Sequence, residues 1–185
     1  MSSRRYTTRT ILTAAALGAA VGVLMIPLNF AQNAIVATMP IAASAVYGIW
    51  GMAAMVPLAL LRRGGVGVIG AAAAGIVNVV SPFGALMVLG MLMWGAVIEL
   101  PFLLTRYRRW GWPMFVTAGI VAGVLSCASM TFALNLQGGE FCVLIGVYAA
   151  ALGSFVGCSL LSLAIARALA RTGITGGRTR RPANA

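Results

Sequence analysis

Apolar residues in this chain do not alternate with polar ones. They run in long blocks separated by short polar punctuation. Six blocks stand out: Thr10 to Phe30, Ala37 to Leu61, Val66 to Val80, Ala85 to Leu104, Met114 to Leu134 and Cys142 to Leu169. Five hold about 20 residues or more, enough for a helix to cross ~30 Å of hydrocarbon. The third, VGVIGAAAAGIVNVV, is short and rich in small residues, so a thinned bilayer or a broken helix is expected there. Lipid offers no hydrogen bonds to an open backbone, and blocks of this length satisfy themselves as helices. The pattern therefore predicts an all-α, polytopic membrane protein of six transmembrane helices. Residues 1–9 form an N-terminal arm, residues 10–170 the single transmembrane domain, and residues 171–185 a basic, glycine-rich flexible tail.

Composition supports this reading. The chain is 61% hydrophobic and 8% charged, with a mean hydropathy of +1.00. A soluble domain of 185 residues could not cover its outside with so few polar groups.

Charge then sets the topology. All 13 basic residues are arginine. Arg4, Arg5 and Arg9 precede the first block, Arg62 and Arg63 fill the second connection, and Arg106, Arg108 and Arg109 the fourth. Arg167, Arg171, Arg178, Arg180 and Arg181 close the chain. The first, third and fifth connections (AQNAIVA, SPFG and NLQGGEF) carry none. Six helices put every arginine on one side, which the positive-inside rule makes the cytoplasm, with both termini there, in the cell (plasma) membrane. A cleaved signal peptide would leave five helices, but PLNFAQNAIVA extends past a short apolar core without a compact cleavage site. The net charge of +11 thus points to membrane lipid headgroups rather than to nucleic acid.

The missing residue types exclude chemistry. There is no lysine, histidine or aspartate, so P-loop ATPase, Ser-His or Cys-His hydrolase, aspartyl protease and histidine-ligated metal site are all ruled out. Cys127, Cys142 and Cys158 show no C-x-x-C spacing and read as small apolar helix residues. No catalytic residue, metal site or cofactor is expected.

Three features remain that bear on function. The first helix carries small residues four apart, Ala14, Gly18 and Gly22, with Ala16 and Ala20 beside them. Such stripes let helix backbones approach closely, either within the chain or against another membrane subunit. Polar and aromatic groups gather toward the arginine-free side: Gln32, Asn33, Tyr47, Trp50, Asn78, Trp94, Ser126, Ser129, Thr131 and Tyr148. Taken singly these are interfacial anchors or backbone-bonded hydroxyls; together they fit a site for a small planar ligand. Last, Glu99 lies inside an apolar run, seven residues before Arg106. A carboxylate there needs a partner or a proton. It can meet a cationic or amidine-like substrate group, pair with a cytoplasmic arginine, or bond to a partner subunit; position alone favours the structural or coupling role. Glu140, in the fifth connection, is expected to be solvated.

The stretches AVYGIWGMAAMVPLALLRRGG and GALMVLGMLMWGAVIELPFLLTRYRRWGW resemble the YkoE-type substrate-binding (S) component of energy-coupling factor (ECF) transporters. The resemblance rests on Val46 to Trp50, Arg62 to Gly64, the proline turn Ser81 to Gly84, Gly95 to Glu99, and Arg106 to Trp110. It implies a six-helix subunit that captures thiamine or its hydroxymethylpyrimidine precursor from outside. Such a subunit docks through its first helix on a transmembrane coupling (T) subunit joined to two ATP-binding subunits. Relative to that pattern the third helix lacks acidic residues, Trp94 replaces a polar residue and SPFG replaces NPWG.

The expected function is therefore substrate capture for an ABC-type vitamin importer, not catalysis. The expected substrate contacts are Tyr47, Trp50, Asn78, Trp94, Glu99, Ser129 and Tyr148. The rivals are an S component for another vitamin, a self-sufficient carrier, and a non-transport membrane interaction protein.

Overall fold

The computed structural model describes residues 7–133 and 141–172. Among these residues the fold is entirely helical: α1 Thr8–Ile35, α2 Pro40–Ser44, α3 Gly48–Leu61, α4 Val66–Val77, α5 Leu86–Leu104, α6 Trp112–Ala133 and α7 Phe141–Arg171, with a 3-10 turn at Asn78–Val80 following α4. Five segments are long and apolar enough to cross a membrane: α1, α2 with α3, α5, α6 and α7. The third block is the short one, as expected. Together α4 and its 3-10 turn rise roughly 24 Å, against ~30 Å of hydrocarbon.

The shortness of α4 goes with its place. Its small side chains let three neighbours pack on its backbone. A Cβ on Gly18 of α1 would overlap the Gly70 carbonyl, and one on Gly22 would come within 2.9 Å of the Ala74 Cα. From α5, a Cβ on Gly95 would lie 2.7 Å from that of Ala71. From α3, Pro57 and the Ala53 carbonyl abut Gly70. α1 and α4 run parallel, so the C-terminal end of α1 meets the 3-10 turn.

The second block is not one helix but two, broken at 45–47. Ser154 of α7 bridges the break: its hydroxyl accepts from the Gly48 N–H (2.9 Å) and donates to the Ala45 carbonyl (2.6 Å). Such repairs keep backbone groups satisfied where a span is interrupted. α7 also packs against α6, where Gly119 meets the Phe155 backbone and Gly123 meets Leu152.

The core is built from Ala14, Met55, Leu58, Met91, Trp94, Ile98, Phe102, Phe115 and Phe155. Outward-facing side chains are also apolar, among them Leu12, Leu24, Leu86 and Leu104. A water-facing protein does not present such a surface on every long helix, and lipid requires it. Every described arginine lies at one end of the bundle. Arg4, Arg5, Glu140 and the tail beyond Thr172 fall outside the described residues.

Candidate functional site

At the end opposite the arginines, α1, α3 and the α4–α5 connection bring together a polar and aromatic cluster. Asn78 stands where α4 tightens into its 3-10 turn. Its Nδ2 donates to the Gly22 carbonyl (2.8 Å) and to the Ala74 carbonyl (2.9 Å). Its Oδ1 accepts from Asn29 Nδ2 (2.9 Å), and Asn29 Oδ1 accepts from Trp50 Nε1 (3.0 Å). Both asparagines are fully buried. The Trp50 ring lies 5.0 Å from that of Tyr47 and meets Phe83 edge-on at 5.8 Å.

Gln32, one turn beyond Asn29 on the same face of α1, is 2% exposed. Neither its Oε1 nor its Nε2 has a hydrogen-bond partner among the described residues. Its amide lies beside the Tyr47 hydroxyl without reaching hydrogen-bond geometry. The Ser81 hydroxyl, in the proline turn, is buried and likewise unpartnered among the described residues. Buried polar groups in folded proteins are nearly all paired, so such atoms call for an explanation.

The expected site residues divide on this geometry. Tyr47, Trp50 and Asn78 come together. Tyr148 is next door: it packs with Tyr47 on the cluster of Cys127, Met130, Val147 and Ala151, and its hydroxyl bonds Thr131 Oγ1, tying α7 to α6. Ser129 is exposed, and its hydroxyl donates to the Ser126 carbonyl in its own helix (2.9 Å). Trp94 is a core residue rather than a lining one. It is 3% exposed and pairs with Phe155 at 5.4 Å, because Met87, Met91, Trp94 and Ile98 recur at helical spacing on the buried face of α5. Asn29 and Phe83 are absent from the sequence-based expectation, and Gln32 is in its polar collection but not among its expected substrate contacts. The available signal was the spacing of Asn29 and Gln32, which continues the buried stripe through Gly22 and Met25.

Glu99 does not join this group. It lies at the opposite end from this cluster, where it caps α4. Its Oε1 accepts from the Gly65 N–H and from the Tyr107 hydroxyl (3.1 Å), and its Oε2 from the Val68 N–H (3.2 Å). Gly65 is the N-cap of α4, at φ +78°, a conformation that favours glycine. One side chain from α5 thus fills both acceptor positions of a capping box. The Arg-Tyr-Arg-Arg-Trp stretch forms around it. Arg106 and Tyr107 both adopt positive φ, which turns the Tyr107 ring against Gly64 and its hydroxyl onto Glu99. Trp110 closes the turn through Nε1 to the Tyr107 carbonyl (2.8 Å) and rings packed on Tyr107 and Phe102.

The small-residue stripe on α1 also divides. Ala14, Gly18 and Gly22 are buried against α4, so they are not free to receive another subunit in this arrangement. Ala16 and Ala20 are exposed.

Comparison with known proteins agrees with the architecture. Residues 9–125, well over half of the chain, match the family described as the ABC-type cobalt transport system, permease component. The chain belongs to that family. Its fold is similar to that in the crystal structure of an S-component of an ECF transporter, with a TM-score of 0.85 and 22% identity over 95% of this chain and 91% of that one. No curated protein matches. The matched family region runs from the start of α1 into α6 and so contains both the Asn29–Asn78–Trp50 network and the Glu99 cap.

Proposed function

We propose that this chain is the substrate-capturing S component of an ECF-type ABC importer, and that its ligand is thiamine or the hydroxymethylpyrimidine precursor. The observation that carries this reading is the cluster of Tyr47, Trp50 and Phe83 rings with buried amides, at the arginine-free end of an S-component fold. By the positive-inside rule that end faces outward, and the arginine end and both termini face the cytoplasm. Rings stack on a flat heterocycle, and a few directed polar groups fix its orientation. Energy comes from a separate coupling subunit and two ATP-binding subunits. Ala16 and Ala20 of α1 offer the exposed small-residue surface on which the coupling subunit docks.

The metal in the family's description is not carried over to this chain. The chain has no histidine, and among the described residues no three Cys, Glu, Asp or His side chains come together. Direct cobalt ligation lacks its usual donors.

The test is a titration of purified full-length protein with thiamine and with hydroxymethylpyrimidine. Tryptophan fluorescence follows binding through Trp50, and calorimetry checks it. Saturable binding of either at sub-micromolar concentration is expected. If folded protein binds neither, the substrate assignment fails and the fold stands without it.

A further inference from the structure

Three amides converge at the candidate site, but they are not equivalent. The Asn29 and Asn78 side chains bond each other, the Trp50 indole and two backbone carbonyls. Their hydrogen-bonding capacity goes into holding α1, α3 and α4 together. Gln32 is as deeply buried, and its amide, beside the Tyr47 hydroxyl, makes no hydrogen bond of good geometry among the described residues. A primary amide presents a donor and an acceptor side by side. Its complement is a ligand edge with an acceptor next to a donor, such as a ring nitrogen beside an amino group.

We infer that Gln32 is the specificity-determining residue of this site, reading an uncharged donor–acceptor edge of a planar heterocycle by a bidentate hydrogen bond. This rests on the substrate-capture reading and deepens it: the aminopyrimidine edge, common to hydroxymethylpyrimidine and thiamine, is the part of the ligand that Gln32 reads. Asn29 and Asn78 are positioning residues that fix the Trp50 ring and the wall against which Gln32 works.

The test compares full-length wild type and Gln32→Leu in detergent. Three probes are titrated: hydroxymethylpyrimidine, thiamine and para-methylbenzyl alcohol, which keeps the outline of the pyrimidine without its ring nitrogens and amino group. Melting of the ligand-free proteins is measured alongside. Wild type is expected to favour the pyrimidine over the benzyl alcohol by about a hundred-fold or more, because a site built for hydrogen bonds rejects a ligand that cannot make them. Gln32→Leu is expected to lose about thirty-fold for the pyrimidine while binding the benzyl alcohol no more weakly. Its melting temperature should be unchanged or raised, since an unpartnered buried amide is removed. Unchanged pyrimidine affinity in Gln32→Leu overturns the role of Gln32 and leaves the substrate-capture reading intact. A lowered melting temperature for ligand-free Gln32→Leu reveals a structural partner for the amide and also overturns the inference. Thiamine carries the same aminopyrimidine edge and is expected to lose affinity in parallel; wild-type thiamine affinity in Gln32→Leu overturns the role of Gln32. No binding of either by folded wild type sinks this inference and the substrate assignment together.

Discussion

Replacing Glu99 tests whether the carboxylate holds the fold or the ligand. In Glu99→Ala, the Gly65 and Val68 N–H groups and the Tyr107 hydroxyl lose their acceptor. The first two are backbone donors at a helix start enclosed by α3 and α5. A buried donor left unpaired costs about 1–3 kcal/mol, and loss of negative charge from a helix N-terminus costs up to ~1 kcal/mol more. The Tyr107 hydroxyl sits in a half-exposed turn and reaches water more readily, so its share is small. The total is about 3 kcal/mol. For a chain of this size each kcal/mol shifts Tm by about 2–4 °C, so Glu99→Ala should melt about 6–12 °C lower. Glu99→Gln keeps one acceptor oxygen but turns an NH2 toward one of the N–H groups, and should lose about half as much. The assay is thermal unfolding in detergent, followed by ligand titration well below the melting range. Both variants should keep wild-type affinity, because the cap lies at the far end of α4 from the Asn78 cluster. A Glu99→Gln protein that melts like wild type but has lost its ligand affinity would refute the reasoning and return Glu99 to the binding site.

Two further predictions test packing and docking. Gly18→Ala should destabilise the fold by about 2 kcal/mol or more, because the new Cβ meets the Gly70 backbone and the helices must separate. Gly153→Ala on the outer face of α7, where a Cβ meets nothing within 4 Å, should be neutral or stabilising; the two Tm values decide it. Ala16→Leu with Ala20→Leu should leave the melting temperature and ligand affinity of the isolated subunit unchanged while reducing copurification of the coupling subunit. Undiminished copurification would place the docking surface elsewhere.

The fold was legible because the signal for it is coarse. Lipid demands long apolar helices, and block length together with arginine placement supplies helix count and relative direction without reference to side-chain packing. The site was less legible because helical phase decides it. Trp94 and Trp50 are equally plausible ring donors in a linear reading, yet Trp94 shares a face with Met91 and Ile98 and turns into the core. Ala14, Gly18 and Gly22 look like a docking stripe, and their spacing does mark a helix contact. A stripe does not say whether its partner is in the same chain, and here the partner is α4. Gln32 is counted among the polar groups of the arginine-free side but not among the expected substrate contacts, because its burial on the α1 stripe depends on helical phase and on where α1 ends.

The expense of a buried carboxylate is resolved by what surrounds it. A short helix enclosed by others cannot leave its first N–H groups to water or to lipid, and α4 has no capping side chain of its own: its N-cap is Gly65, chosen by a positive φ that a serine or aspartate adopts less readily. The acceptor must come from another element. Glu99, one turn before the end of α5, reaches both the N-cap and N3 positions, and the partial positive charge of the helix start replaces the solvation that the carboxylate loses. An arginine partner is not required for that, although eight of the chain's arginines lie in the described residues at this end. The same logic explains why Tyr107 stands among the arginines. Its ring covers Gly64 and its hydroxyl gives the carboxylate a third donor, so the turn that carries the surface charge also closes the cap. If so, Tyr107→Phe should cost about 1 kcal/mol in wild type and almost nothing in Glu99→Ala. A double-mutant cycle on Tm that found the two losses additive would break the link between Tyr107 and the cap.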